Sequence, residues 1–354
     1  SDYQWRRLLG LMGSPSWATD EKFATLKGRL EHQEEMDQGI EAWTKTLGKY
    51  EIMERCQAAG VPAMPVQSSQ DRVDNDPQLR DREMYRDLDH PALGTWPLQN
   101  APFKMSETPA FNSRPGPLIG GHNKEVLEGL LGISHEELVS GFEDGTFWPK
   151  GLSMDDYPYL KKMMEDAKPV EWSGNDRIAN PGPAPTRTPD ADSAGAFGGL
   201  RVLELADEKG QWCGKQMADM GADVIKIEPP GGEAARSVGP FYQDIPNRES
   251  SLYFWHYNTS KRGITLALET EDGRRLFRQL AERTDVILET SRPGYMASLG
   301  LGYEDLKKGN PGLIMCSLTP FGQTGPWKDY KTSDLLHLAA GGQMARCGYD
   351  DEVV

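Results

Sequence analysis

The sequence predicts an α/β protein: an open, doubly wound parallel sheet from residue 197 onward, preceded by a smaller, mainly helical α+β unit. Three observations carry this. After Gly198, short apolar runs alternate with helical patterns. Before residue 136, helical periodicity dominates. Between the two lies a Pro-rich polar stretch, Asn180 to Asp190, whose composition suits an extended spacer rather than a core. The expected units are residues 1–136, a linker at 137–196, and 197–354.

In the first unit Trp5, Leu8, Leu9 and Met12 share one helical face, as do Met36, Ile40, Trp43 and Leu47. Ile52, Met53 and Cys56 mark another helix, stopped by Gly60. Val61 to Val66 is extended, because its two prolines forbid a helix. Val126, Leu127, Leu130 and Leu131 form a helix closed by Gly132; Ser134 with Glu137 then reads as a capping box, with Ile133 and Leu138 as its hydrophobic staple. The tryptophans and methionines of this unit are expected in the core. Aromatics and methionines between Phe142 and Asp166 also predict packing.

In the last unit four strands are expected, at 201–206, 223–228, 285–289 and 312–317. Cys213, Met217 and Met220 lie at helical spacing after the first. Thr270 caps a helix that carries Leu276, Phe277 and Leu280 on one face, with acids in its first turn. Such sheets bind ligands beyond the carboxyl ends of their strands, which directs attention to the loops beginning at Asp207, Pro229, Thr290 and Leu318. The chain reaches Val354 in mid-pattern, as a piece of a longer protein would.

A net charge of −15 argues against nucleic acid as partner. No apolar run approaches the roughly 18 residues of a membrane span, and Ser1 to Met12 is not a secretory signal; a cytoplasmic protein is expected. The four cysteines form no CxxC pair, and Cys213 and Cys316 read as buried free thiols. The histidines have no ligand spacing, so no metal is expected. The turn Asp207 to Gly214 holds Gly210 and Gly214, but Trp212 stands where a dinucleotide fingerprint needs close backbone approach. A nucleotide-dependent oxidoreductase is therefore the weaker alternative.

Several short runs together carry a resemblance. Ala218 to Glu228 (ADMGADVIKIE), Asn258 to Leu266 (NTSKRGITL), Asp285 to Glu289 followed by Pro293-Gly294, Leu299 to Tyr303, Asn310-Pro311 and Phe321 to Pro326 resemble, in order and spacing, the amino-terminal half of class III CoA-transferases. Gly60 to Ala63, Asp76 to Arg80, His90-Pro91, Ala101 to Ser106 and Gly120 to His122 resemble the carboxyl-terminal part of the same family. Tail before head implies the junction of two fused repeats, more simply than a circular permutation. One activity of tandem-repeat members, joining dimethylsulfoniopropionate to CoA with loss of dimethyl sulfide, is compatible with this architecture.

The resemblance implies a Rossmann-like large domain, a smaller domain, and subunits or fused repeats interlocked as a dimer or intrachain pseudo-dimer. It implies an enzyme that moves coenzyme A between an acyl-CoA and a small carboxylic acid through an aspartyl thioester. The family spacing puts the nucleophilic aspartate past Val354, so no catalytic residue is assigned in the chain, Asp334 has at most a supporting role, and the piece alone is expected to be inactive. Family positions of the CoA site match Glu208 and Lys209 in the first-strand loop, Leu266, then Thr290, Ser291 and Arg292, and Lys331 near the reaction end. Arg292 is the preferred phosphate ligand, since a guanidinium binds phosphate through two hydrogen bonds; a solvated turn residue is the alternative. Lys261 and Arg262 read as a surface charge pair, Leu266 as core or ligand, Asp334 as a helix cap or an orienting group, and Gly231-Gly232 with Arg236 as a turn or a phosphate cradle. The departures from the family at Lys209, Pro229 and Glu269 keep a non-catalytic structural repeat as the rival.

Overall fold

A computed structural model of the chain describes residues 1–92, 94–148 and 195–344. Two compact units are present, Ser1–Arg80 and Asp81–Val354. The spacer at 180–190, most of Phe142 to Asp166, Cys347 and the last ten residues lie outside the described residues.

The first unit is helical: Asp2–Leu11, Leu26–Glu31, Gln33–Thr44, Lys49–Ala58 and, at its end, Pro77–Asp81. Ser1 and Gln4 make a reciprocal capping box on the first helix. Trp5 and Phe23 are buried with Leu8, Leu9, Met12, Met36 and Ile40 packed around them, the cluster that the helical spacing foretells. Gly60 ends the Lys49–Ala58 helix at φ 71°.

The second unit opens with an antiparallel hairpin, β1 (Tyr85–His90) and β2 (Gly94–Gln99). The helices Lys124–Leu131 and His135–Asp144 follow. A five-stranded parallel sheet then forms from β3 (Arg201–Leu205), β4 (Asp223–Glu228), β5 (Arg262–Thr265), β6 (Val286–Glu289) and β7 (Ile314–Ser317), in the order β5-β4-β3-β6-β7. On one face Leu203, Ile225, Ile227, Ile264 and Ile287 pack against Val126, Leu127 and Leu138 and against Leu276, Phe277 and Leu280 of the helix Glu271–Ala281. On the other, Val202, Val224 and Leu288 meet Ala218 of the helix Gln211–Asp219. This is the mixed α/β fold with a parallel sheet covered on both faces that the alternating pattern predicts. Thr270 caps its helix by accepting from the Gly273 N–H.

Where structure and expectation differ, the reasons are local. The third strand of the sheet in chain order, β5, is absent from the sequence reading because Lys261 and Arg262 suggest a solvated charge pair; both are buried and ion-paired. Edge strand β5 is itself covered. His122 N–H donates to the Gly263 carbonyl (2.9 Å), and Asn123 exchanges two hydrogen bonds with Thr265. Cys213 and Cys316 are exposed rather than buried: the helix turns Gly214, Lys215 and Ala218 inward instead, and Cys316 shares the outer side of β7 with Ile314. Of the capping box at Ser134 half is present; Ser134 accepts from Glu137 N–H, while the Glu137 carboxylate goes to Arg275 (2.5 Å). Met64 is 71% exposed in its proline-flanked segment, and Trp96 is 41% exposed on the hairpin with its ring edge-on to Tyr242, so neither is core.

Charged side chains sit inside this sheet. Lys226 on β4 and Lys261 before β5 donate to Glu204 on β3 at 3.1 and 2.9 Å. Lys226 also donates to the Ala206 carbonyl, and Lys261 to Gln211 O and Asn258 Oδ1. Gly214 passes directly over this carboxylate: a Cβ there would lie 1.6 Å from Glu204 Oε2. A helical Gly→Ala change ordinarily stabilises by roughly 1 kcal/mol. Here the sign reverses, because the added methyl displaces a buried carboxylate from its two ammonium partners. Gly214→Ala is expected to destabilise the second unit by on the order of 3 kcal/mol in urea titration; an unchanged or raised midpoint would show that Glu204 has room to move.

Candidate functional site

The carboxyl ends of β3, β4 and β6, with the segment following β5, enclose a cleft of about 260 Å³. Its apolar walls are Leu205, Ile227, Pro229, Leu266 and Leu268, and its polar lining is Asp207, Glu228, Glu233, Glu269, Thr290, Ser291 and Tyr295. Three of the loops singled out from the strand ends, those at Asp207, Pro229 and Thr290, contribute to it.

The first-strand loop is tied to the loop after β6. The Thr290 hydroxyl donates to Asp207 Oδ1 (2.9 Å) and accepts from the Asp207 N–H (3.0 Å). Gly210 fits between them, since a Cβ at this position would meet Thr290 Cγ2 and Ala206 Cβ within 2.9 Å. Lys209 folds back onto the Asp207 carboxylate. Ser291 N–H donates to Glu289 Oε2 (2.7 Å), which turns the chain sharply out of β6.

Beneath the cleft the loop Pro229 to Glu233 makes a tight turn, with Gly231 and Gly232 at φ 86° and 88° and Gly232 N–H on the Pro229 carbonyl. Arg236 does not reach outward to cradle a phosphate. It is fully buried, forks onto both oxygens of Glu228 (2.6 and 2.7 Å), reaches Glu249 at 2.7 Å and lies 3.7 Å over the Phe254 ring. Burial works against the Glu228 charge, but Arg236 wins and holds that carboxyl below its ordinary value. Glu233 pairs with Lys226 at 2.9 Å. Burial pushes Glu233 up to about 7, Lys226 opposes this, and the neighbouring Glu228 charge adds to it. Burial likewise brings Lys261 down to about 8.

Leu266, Thr290 and Ser291 thus share one cleft. Glu208 and Lys209 lie exposed on the adjoining loop. Arg292 is exposed one residue beyond the lining, and its charge acts on Tyr295. Lys331 and Asp334 are exposed on the segment after β7 and do not line the cleft; Asp334 begins the helix Asp334–Ala340, for which Ser333 is the cap residue. Sequence reasoning did not single out Glu228, Glu233 or Tyr295 as site residues. Glu228 ends a strand at the carboxyl edge of the sheet, which is a usable signal; Glu233 and Tyr295 follow glycine turns whose direction the sequence does not specify.

Beside the first-strand loop stands an aromatic group. Trp212, on the helix Gln211–Asp219, lies near-parallel to His256 (13°, centroids 6.3 Å apart) and edge-on to Tyr257 (5.7 Å), which meets Tyr253 at 4.8 Å. Trp212 is 43% exposed.

Comparison with known proteins places these features in context. The model of CoA-transferase family III matches residues 1–123 and 197–353. Over 156 residues the chain is 42% identical to a succinyl-CoA:(R)-benzylsuccinate CoA-transferase subunit of Thauera aromatica, covering 44% of this chain and 38% of that protein. It is 42% identical over 157 residues to a succinate–glutarate CoA-transferase of Agrobacterium fabrum, covering 43% and 39%. A CAIB/BAIF family protein from Brucella suis of known structure is 40% identical, with a TM-score of 0.42, over 45% of this chain and 42% of that one. The chain spans about two fifths of the length of the curated relatives it matches.

Glu233 provides a test of the cleft's electrostatics. The unfolded chain releases this proton near 4.5, whereas the native cleft retains it to about 7. Between those values the native state binds more protons than the unfolded one, so the contribution of Glu233 to stability is lost as pH rises. Urea denaturation should show wild type losing on the order of 2 kcal/mol more than Glu233→Gln between pH 5 and 7. Parallel stability–pH curves would mean that Lys226 keeps Glu233 ionised throughout.

Proposed function

The chain belongs to CoA-transferase family III, and on that premise we propose that it forms half of a coenzyme A site in an enzyme that moves CoA between an acyl-CoA and a small carboxylic acid. The observation that carries the reading is the cleft at the carboxyl edge of β3, β4 and β6, where Leu266, Thr290 and Ser291 converge. Its apolar walls suit the base of CoA, and Arg292, exposed just outside, suits the phosphates. Glu208 and Lys209 lie on the route from this cleft toward the aromatic group at Trp212, and the thioester end runs that way. Lys331 and Asp334 belong to the reaction end, and the site involves no metal.

The chemistry needs a carboxylate nucleophile. Its attack on the thioester carbonyl breaks the C–S bond, releasing CoA thiolate and leaving a mixed anhydride. The thiolate then attacks the enzyme's acyl carbon, the donor acid leaves as its carboxylate, and an enzyme thioester remains. The acceptor acid reverses both steps. Activated acyl derivatives of a carboxylate turn over fast enough to serve at each stage. We place the aspartate that does this outside residues 1–354, and read the chain as the junction of two repeats, with tail residues 1–136, a linker at 137–196 and head residues 197–354. Two such repeats would interlock within one polypeptide as a pseudo-dimer, in the cytoplasm. Among the described residues no helix is long and apolar enough to cross a membrane.

The departures at Lys209, Pro229 and Glu269 favour one rival, a repeat that retains the cradle as a structural partner. Both readings predict CoA binding, and turnover by the full-length protein separates them. In calorimetry the protein should bind CoA and not NAD, and Arg292→Ala should weaken CoA about tenfold, the ~1.4 kcal/mol of one charge-assisted phosphate contact. NAD binding with no response to CoA would return the cleft to dinucleotide chemistry, and unchanged CoA affinity in the variant would remove Arg292 from the site.

A further inference from the structure

The polar groups of the cleft differ in how far the protein has already neutralised them. Glu228 gives both oxygens to Arg236. Glu233 is paired with Lys226, and Asp207 with Lys209, Thr290 and the Lys209 N–H. Glu269 is different. Its Oε1 accepts one neutral hydrogen bond, from the Tyr295 hydroxyl at 2.6 Å, and among the described residues its carboxylate has no cationic partner. Arg274 donates to the backbone carbonyl of Glu269, not to its side chain. Burial, then the Glu269 contact, pushes Tyr295 up to about 12, so this hydroxyl remains a donor at neutral pH.

Among the described residues Glu269 is thus the lining carboxylate without a cationic partner, exposed at the rim of an apolar slot made by Leu205, Ile227, Leu266 and Leu268. Among the described residues no lysine, arginine or histidine lines it. A phosphate would meet only acceptors there. At about 260 Å³ the slot is smaller than the roughly 300–1,000 Å³ of sites that take a whole drug-sized ligand, and suits a single flat ring system. The complementary guest is a planar heterocycle bearing an N–H₂ donor on its edge.

From this we infer that Glu269, held in place by Tyr295, is a specificity-determining residue that reads the exocyclic amine of the adenine base. The inference rests on the coenzyme A reading above and adds to it the basis of base discrimination. A carboxylate rejects a carbonyl at the same position, because two acceptors then face each other with no proton between them, and an unpaired polar contact weighs more than a missing apolar one. Tyr295 acts through Glu269 as a positioning residue.

The test compares CoA with deamino-CoA, whose hypoxanthine base carries an oxo group in place of the amine, by calorimetry on the full-length protein. Wild type should prefer CoA by about tenfold, and Glu269→Ala should bring the ratio close to one by weakening CoA while leaving deamino-CoA nearly unchanged. Tyr295→Phe should reduce the ratio by a smaller factor. A purely structural role for Glu269 would lower both affinities together and keep the ratio, which would overturn the inference, as would equal binding of the two ligands by wild type. Failure of wild type to bind either ligand would instead overturn the coenzyme A reading and this inference with it.

Discussion

The structure depends on compensating charge inside the parallel sheet. Glu204, Lys226 and Lys261 lie within the β3–β4–β5 layer and are almost wholly withdrawn from water, as are Glu228 and Arg236 at its carboxyl edge. An unpaired charge in such a place costs several kcal/mol, so each member holds the others in position. The constraint extends into the backbone: Lys226 binds the Ala206 carbonyl, Lys261 binds the Gln211 carbonyl, and Gly214 is required where the helix crosses Glu204. The loop after β3, which begins at Asp207, is thereby fixed at both ends by buried cations.

That arrangement explains the character of the cleft above it. Arg236 and Lys226 are consumed by Glu228 and Glu233, so the cleft shows carboxylates rather than cations to a ligand. On the proposed reading, a site whose positive charges are directed inward and whose rim holds Arg292 would take coenzyme A with its base toward the apolar slot and its phosphates toward the edge. The same inward direction makes Arg236 a structural residue despite its position after a glycine turn.

Much of the architecture was legible in the sequence because it rests on apolar periodicity. The alternation of strand and helix after Gly198, the Thr270 cap and the Trp5 cluster all follow from spacing. Strand β5 was not, because its charged start, Lys261-Arg262 after the polar Asn258 to Ser260, suggests a solvated turn; its burial depends on partners at Glu204, Asp223 and Glu125 that are remote in sequence. The exposure of Cys213 was hidden for the converse reason: the polar Lys215 points inward toward Asp219 and Asn112, so the helix buries the side that appears hydrophilic. In the cleft, Leu266, Thr290 and Ser291 could be named from resemblance, whereas Tyr295 and Glu233 owe their place to glycine-directed turns.

The most direct measurement is amide chemical-shift mapping, or a solved complex, of the protein with coenzyme A. Perturbations should concentrate at residues 207–210, 229–233, 266–269 and 290–295, with the base against Leu266 and the phosphates near Arg292. Coenzyme A found elsewhere, with these four loops unperturbed, would contradict the assignment of this sheet edge as the cofactor cradle.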